Sequence, residues 1–172
     1  MDPLLTLVVA TSIGLLFFTA ARHKLNGGRR FEAQLAAYQL LPESLLRPVA
    51  KTLPWLELAV AVALLVPLTR TPAALLATTL LVGYALAMAV NIKRGRAEID
   101  CGCGDQPQAL SGWLLLRNAV LAIATISLVA PVTERALGMA DMWFMVVLTA
   151  ALSLAYVMCE QLTRNFSGLS KS

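Results

Sequence analysis

Cys101-Gly102-Cys103, inside the polar stretch from Asp100 to Asp105, carries the residue types and spacing in this sequence that point most directly to chemistry. The glycines at 102 and 104 let the backbone turn sharply, so that the two sulfurs can approach each other, a client thiol or a metal ion. A structural zinc site usually takes four Cys or His ligands, and three cysteines with one histidine in the whole chain do not supply them. No metal site is therefore expected within the chain. A copper site shared with a partner would use the same thiols, but the six methionines form no clustered array of soft ligands. Inert loop thiols are the bland reading, and glycine-flanked neighbouring cysteines in a polar loop do not resemble core packing. Thiol–disulfide exchange remains as the chemistry that fits best. A disulfide closed across one residue makes a small, strained ring, and strain eases reduction. The local field is mixed, since Lys93, Arg94 and Arg96 favour thiolate whereas Asp100 and Asp105 oppose it.

Other polar residues stand out because they fall within or at the ends of apolar runs, where ionisable groups are costly and usually face a cavity or a partner. They are Glu57, Arg117, Asn118, Asn91, His23 and Lys24. A carboxylate and a guanidinium at similar depth cost less together than apart, so Glu57 and Arg117 are expected to pair, with Lys24 as the alternative partner of Glu57. Such a pair could be architectural or could shape the thiol site electrostatically. Cys159 is a candidate third, resolving thiol; the competing expectation is a small packing residue in a span.

The elements that must position these residues follow from composition. The chain of 172 residues is 58% hydrophobic and 14% charged, against roughly half and a quarter in soluble domains. It is expected to be an all-α polytopic membrane bundle, one integral membrane domain over 1–172 embedded in the lipid bilayer. The spans are expected at about 3–21, 53–68, 73–92, 111–129 and 139–162, with a short interfacial helix near 31–41 and the C-x-C loop at 93–110. The run from Pro3 to Ala21 would be about 28 Å long as a helix, which matches the hydrocarbon core. A cleaved signal peptide is disfavoured because the basic cluster follows that run. Gly83 and Ala87 offer a small-residue face for close helix contact. The net charge of +4 is assigned to orienting the spans, and no nucleic-acid partner is expected. Twelve of the fourteen Lys and Arg residues fall at the C-x-C end, against Arg70 and Arg135 at the other. By the positive-inside rule this places the C-x-C loop on the cytoplasmic side of a bacterial inner membrane and the N-terminus outside.

Arg22-His23-Lys24, Tyr38-Gln39-Leu40-Leu41-Pro42, Leu53-Pro54-Trp55-Leu56-Glu57-Leu58 and Asn91-Ile92-Lys93-Arg94-Gly95-Arg96 leading to Ile99-Asp100-Cys101-Gly102-Cys103-Gly104, with Arg117-Asn118 beyond, resemble the MauE-type methylamine-utilisation membrane proteins, relatives of the DoxX family. The resemblance covers about residues 10 to 130. It implies a redox-associated membrane protein that works with a thioredoxin-like partner of the MauD type in forming disulfides of an extracytoplasmic enzyme such as methylamine dehydrogenase. Its DoxX side implies a quinone as cofactor, and Tyr84 with Asn91, seven residues apart on one helical face, would line a quinone or lipid pocket. In this reading Cys101 and Cys103 are the catalytic pair, and Glu57, Arg117, Lys24, His23, Asn91 and Asn118 support them. The alternative is a non-catalytic assembly scaffold or metal-delivery factor for the same system. An exported client also calls for thiols on the outer side, against the charge count.

Overall fold

The computed structural model describes residues 1–96, 99 and 110–169, apart from the side chains of residues 164 and 166–169. Within these bounds every regular element is helical, and five helices are long and apolar enough to cross a membrane. A bilayer core offers no water to an open sheet edge, so a run of this composition satisfies its backbone as helix.

Helix α1 (Pro3–Asn26) begins where the Asp2 side chain accepts a hydrogen bond from the Leu4 amide at 2.8 Å, with Pro3 at the first helical position, which has no amide to satisfy. It runs past the expected end at residue 21 and carries Arg22, His23 and Lys24 as part of the helix. Gly27 separates it from α2 (Gly28–Tyr38), the short helix expected near 31–41, whose Phe31 is buried. Helix α3 (Glu43–Leu65) departs most from expectation: it starts ten residues before the expected residue 53 and contains both Pro48 and Pro54. A proline interrupts a helix in water because it removes one hydrogen bond; inside a membrane bundle neighbouring groups compensate, and unwinding would expose more backbone to lipid.

Helix α4 (Arg70–Lys93) and helix α5 (Gly112–Ile126), prolonged by a 3-10 turn at Ser127–Val129, follow the expected spans closely. Helix α6 (Met139–Leu169) extends past the expected 162. Gly14 of α1 lies opposite Ala61 of α3, and Lys24 opposite Glu57, so α1 and α3 run antiparallel. Helix α4 returns beside α3, tied at the turn by Arg70 Nε donating to Leu64 O at 3.2 Å. Helix α5 packs on α4, and α6 lies along α1, where the hydroxyls of Thr11 and Thr149 bond at 2.9 Å.

The shared core of α1, α3 and α4 is built from small residues, Ala10, Ala61, Ala73, Ala74 and Ala77, around Phe17, Val60, Leu64 and Leu81. Small residues let helices approach closely, which drives association where lipid is as apolar as the side chains. One close approach is at Gly14, where an added Cβ would lie 3.2 Å from the Ala61 carbonyl oxygen. Gly83 is not such a contact: it is exposed, and an added Cβ would meet nothing within 4 Å. The expected small-residue face of α4 is thus corrected to α1. The large apolar side chains that remain exposed, Leu86, Ile123 and Trp143 among them, form the lipid-facing surface expected of a membrane bundle.

One end of the bundle is tied by the N-terminal amine, which donates to Pro131 O at 2.6 Å, and by Arg135, which reaches Asp2 at 3.4 Å and Asp141 at 2.7 Å. The hydrogen bond to Asp141, then the charges of Asp141 and Asp2, hold the Arg135 pKa above its ordinary value. The opposite end carries the α1–α2 turn, the start of α3 and the α4–α5 connection.

Candidate functional site

Glu57 is fully buried on α3, and a buried carboxylate persists only with a compensating partner. That partner is Lys24 of α1, whose ammonium contacts Glu57 Oε1 directly and is itself 8% exposed. Tyr84 of α4 donates its hydroxyl to the same oxygen at 2.5 Å. The ammonium also lies over the Tyr84 ring at 4.9 Å and the Phe31 ring at 5.2 Å, so the faces of two aromatic rings share its charge. Helices α1, α2, α3 and α4 therefore each supply one group to a single charged centre. Within it Glu57 Oε1 is used twice, while Glu57 Oε2, buried, has no hydrogen-bond partner among the described residues.

The expected pairing of Glu57 with Arg117 is not the one found. Helix α3 packs on α1, α2 and α4, whereas Arg117 of α5 turns toward α6. There its Nη1 meets Glu160 Oε1 at 3.3 Å, and its guanidinium lies over the Tyr156 ring at 5.7 Å. Tyr156 and Glu160, four residues apart, share one face of α6; that spacing was available in the sequence as the cue to an Arg117 partner. Ser12 was not singled out, being an ordinary residue in an apolar stretch, and Phe31 stands out only as part of the apolar face of the short interfacial helix.

The remaining candidates divide. Asn118 is buried and donates to Leu114 O at 2.9 Å. Asn91 is buried near the end of α4 and donates to Ala87 O at 3.1 Å, while its Oδ1 has no partner among the described residues. His23 is half-buried. Cys159 is exposed on α6, which corrects the expectation that it packs within the bundle. Among the described residues, no group of three or more His, Cys, Asp or Glu side chains is placed to hold a metal ion.

A cavity of about 680 Å³ joins the two charged centres. Its polar end is formed by His23, Lys24, Glu57, Tyr84, Arg117 and Glu160, and it continues along α1 as far as Val9 between Leu121 of α5 and Leu152 of α6. Tyr84 lines this cavity, whereas Asn91, expected to line a pocket with it, is not among the lining residues. Ser12 Oγ, in the apolar part, is a second buried polar atom without a hydrogen-bond partner among the described residues.

Cys101 and Cys103 lie outside the described residues. The flanks of their loop are described. Helix α4 ends with Gly95 at φ 73°, the left-handed conformation that favours glycine. The Gly95 amide donates to Ile92 O and the Arg96 amide to Asn91 O, both at 3.0 Å, which is the bond pattern of a Schellman stop. On the returning side Leu110 is buried with Met88 and Leu114, and Tyr38, Ile92 and Ile99 pack against them. The loop is therefore held at both ends by a small apolar cluster at the end of the bundle that carries Lys24.

A family profile described as "Methylamine utilisation protein MauE" matches residues 2–133. The chain is 41% identical over 129 residues to a methylamine utilization protein MauE of Methylorubrum extorquens, covering 74% of this chain and 69% of that one. It is 43% identical over 129 residues to its counterpart in Methylophilus methylotrophus, covering 74% and 67%, and 39% identical over 148 residues to that of Paracoccus denitrificans, covering 80% of each. No solved structure matches.

Proposed function

This chain belongs to the MauE family of methylamine-utilisation proteins, and from that premise we propose that it is a membrane thiol:disulfide oxidoreductase whose redox pair is Cys101 and Cys103. Its partner is a thioredoxin-like protein of the MauD type, and the purpose is maturation of a disulfide-containing extracytoplasmic enzyme such as methylamine dehydrogenase. The observation that supports this most is the setting of the loop: a Schellman stop at Gly95 on one side and buried Leu110 on the other fix the ends of a short polar segment that contains both thiols.

The exchange runs through a mixed disulfide. A thiolate of the reduced member attacks one sulfur of the oxidised member, the second sulfur leaves as thiolate, and the remaining thiol of the attacking pair resolves the intermolecular bond. Two electrons and two protons pass in sum, so one dithiol becomes a disulfide and one disulfide a dithiol. Lys24, Glu57 and Tyr84 do not enter these bonds; they hold α1, α3 and α4 together.

The quinone implied by the DoxX resemblance suits the cavity on two counts, the volume and the cluster of polar groups at one end of an otherwise apolar lining. Lys24 and Tyr84, the donors beside Glu57, would hold its carbonyl head, and when bound it would supply a two-electron, two-proton acceptor for the thiol pair.

The test is a pair of single variants, Cys101→Ser and Cys103→Ser, with the double variant as control. One single variant should accumulate a mixed disulfide with the thioredoxin-like partner on non-reducing gels, and all three should lose methylamine-dependent growth. A double serine variant that supports full growth would overturn exchange chemistry and leave the assembly scaffold as the role.

A further inference from the structure

Two buried polar atoms with no hydrogen-bond partner among the described residues, Glu57 Oε2 and Ser12 Oγ, belong to residues lining the same cavity. A buried acceptor left unsatisfied is costly, more so when charged, so a guest that donates to it is favoured. We propose that this cavity binds a single-chain lipid with an uncharged, hydroxyl-bearing head, the hydroxyl donating to Glu57 Oε2 and the chain running along α1 past Ser12.

Each part of that description follows from the lining. Glu57 Oε1 already accepts from Lys24 and Tyr84, so the vacant oxygen is the acceptor on offer, and only an O–H or N–H head can use it. Among the described residues, the two carboxylates at the polar end are each matched by a cation, Lys24 to Glu57 and Arg117 to Glu160. A charged head would disrupt that balance at membrane depth, where an unmatched charge is costly. The lining runs along α1 from Lys24 to Val9, a separation of about 22 Å at the helical rise. A volume of about 680 Å³ over that length leaves room for one hydrocarbon chain. Helix α6, whose apolar span has no buried residue, forms one wall and is the element best placed to yield as the chain enters from the lipid.

The proposal uses neither thiol, so it stands or falls apart from exchange chemistry, and the Cys101→Ser/Cys103→Ser protein should bind as the wild type does. Native mass spectrometry of the full chain released from detergent micelles counts bound probe. Four probes are compared under anaerobic, reducing conditions: a decyl-substituted benzoquinol, its dimethyl ether, dodecanol and dodecyl methyl ether. A hydroxyl-bearing probe should bind saturably at one per chain, and its methyl ether should bind roughly ten-fold more weakly or worse, the loss expected for a hydrogen bond to a charged acceptor. Quinol binding alone would identify an aromatic diol as the natural ligand class; equal binding of dodecanol would identify simple hydroxyl lipids. Ala124→Phe and Ser12→Leu, which fill the cavity away from the ion pair, should abolish the adduct while retaining the helical melting profile. An ether that binds as tightly as its parent, a folded filling variant with unchanged binding, or no saturable adduct with any probe would overturn the proposal.

Discussion

Lys24 and Glu57 illustrate what a buried ion pair does in this bundle. Their attraction is set against the cost of removing both from water, so the net contribution of the intact pair to stability is small, while loss of one partner strands the other and costs about 3–5 kcal/mol. Lys24→Met and Glu57→Leu should accordingly each lower the melting temperature of the detergent-solubilised protein sharply, and the double variant should recover much of the loss. Additive losses would show that the two side chains do not touch. Arg117 belongs to a separate pair with Glu160, so Glu57→Gln and Arg117→Gln should combine additively. The sequence placed Lys24, Glu57 and Arg117 at similar depth but could not choose among the pairings. Depth follows from counting residues along a span; which cation faces which carboxylate depends on the rotation of each helix and on which helices are neighbours. Tyr84 shows the same boundary: the helical face it was expected to share with Asn91 does not line the cavity, and its bond to Glu57 needed α3 and α4 side by side.

The helices themselves were largely legible, because an apolar run of about twenty residues has few alternatives in lipid. The start of α3 was less so: Pro48 and Pro54 read as boundaries by the rules of soluble helices, yet both lie within the helix. The packing faces were harder still. Gly83 near Ala87 and Gly14 among apolar residues are equally plausible contact points in a sequence, and only the arrangement of α1 against α3 selects Gly14. Two substitutions separate them. Gly14→Leu drives a side chain toward the Ala61 carbonyl, a backbone atom that cannot rotate away, and should destabilise by about 1–3 kcal/mol through overpacking. Gly83→Ala enters open space on a lipid-facing surface and should be neutral or stabilise by up to about 1 kcal/mol through reduced freedom of the unfolded chain. Melting curves of both in one detergent test the pair of predictions; a Gly14→Leu protein as stable as Gly83→Ala would mean that α1 and α3 do not approach closely there.

At the scale of the whole molecule, the two ends of the bundle are set apart by charge. Counted along the sequence, twelve Lys and Arg residues fall toward the end expected to carry the C-x-C loop, and two, Arg70 and Arg135, toward the other. Retention of basic loops on the cytoplasmic side would place Cys101 and Cys103 there, while a role in maturing an exported enzyme would favour the other side. Labelling decides between them. In a Cys159→Ser background, which leaves 101 and 103 as the only thiols, a membrane-impermeant maleimide should label the reduced protein only after permeabilisation if charge sets the orientation. The pair would then exchange electrons with a cytoplasmic donor or acceptor, and its effect on an exported client would have to pass through the bundle. Labelling in intact cells would instead place the basic end outside and let a thioredoxin-like partner meet the loop directly. It would also require that something other than loop charge fix the orientation, and the Met1, Asp2, Pro131 and Arg135 contacts that tie the opposite end would be the first place to mutate in search of it.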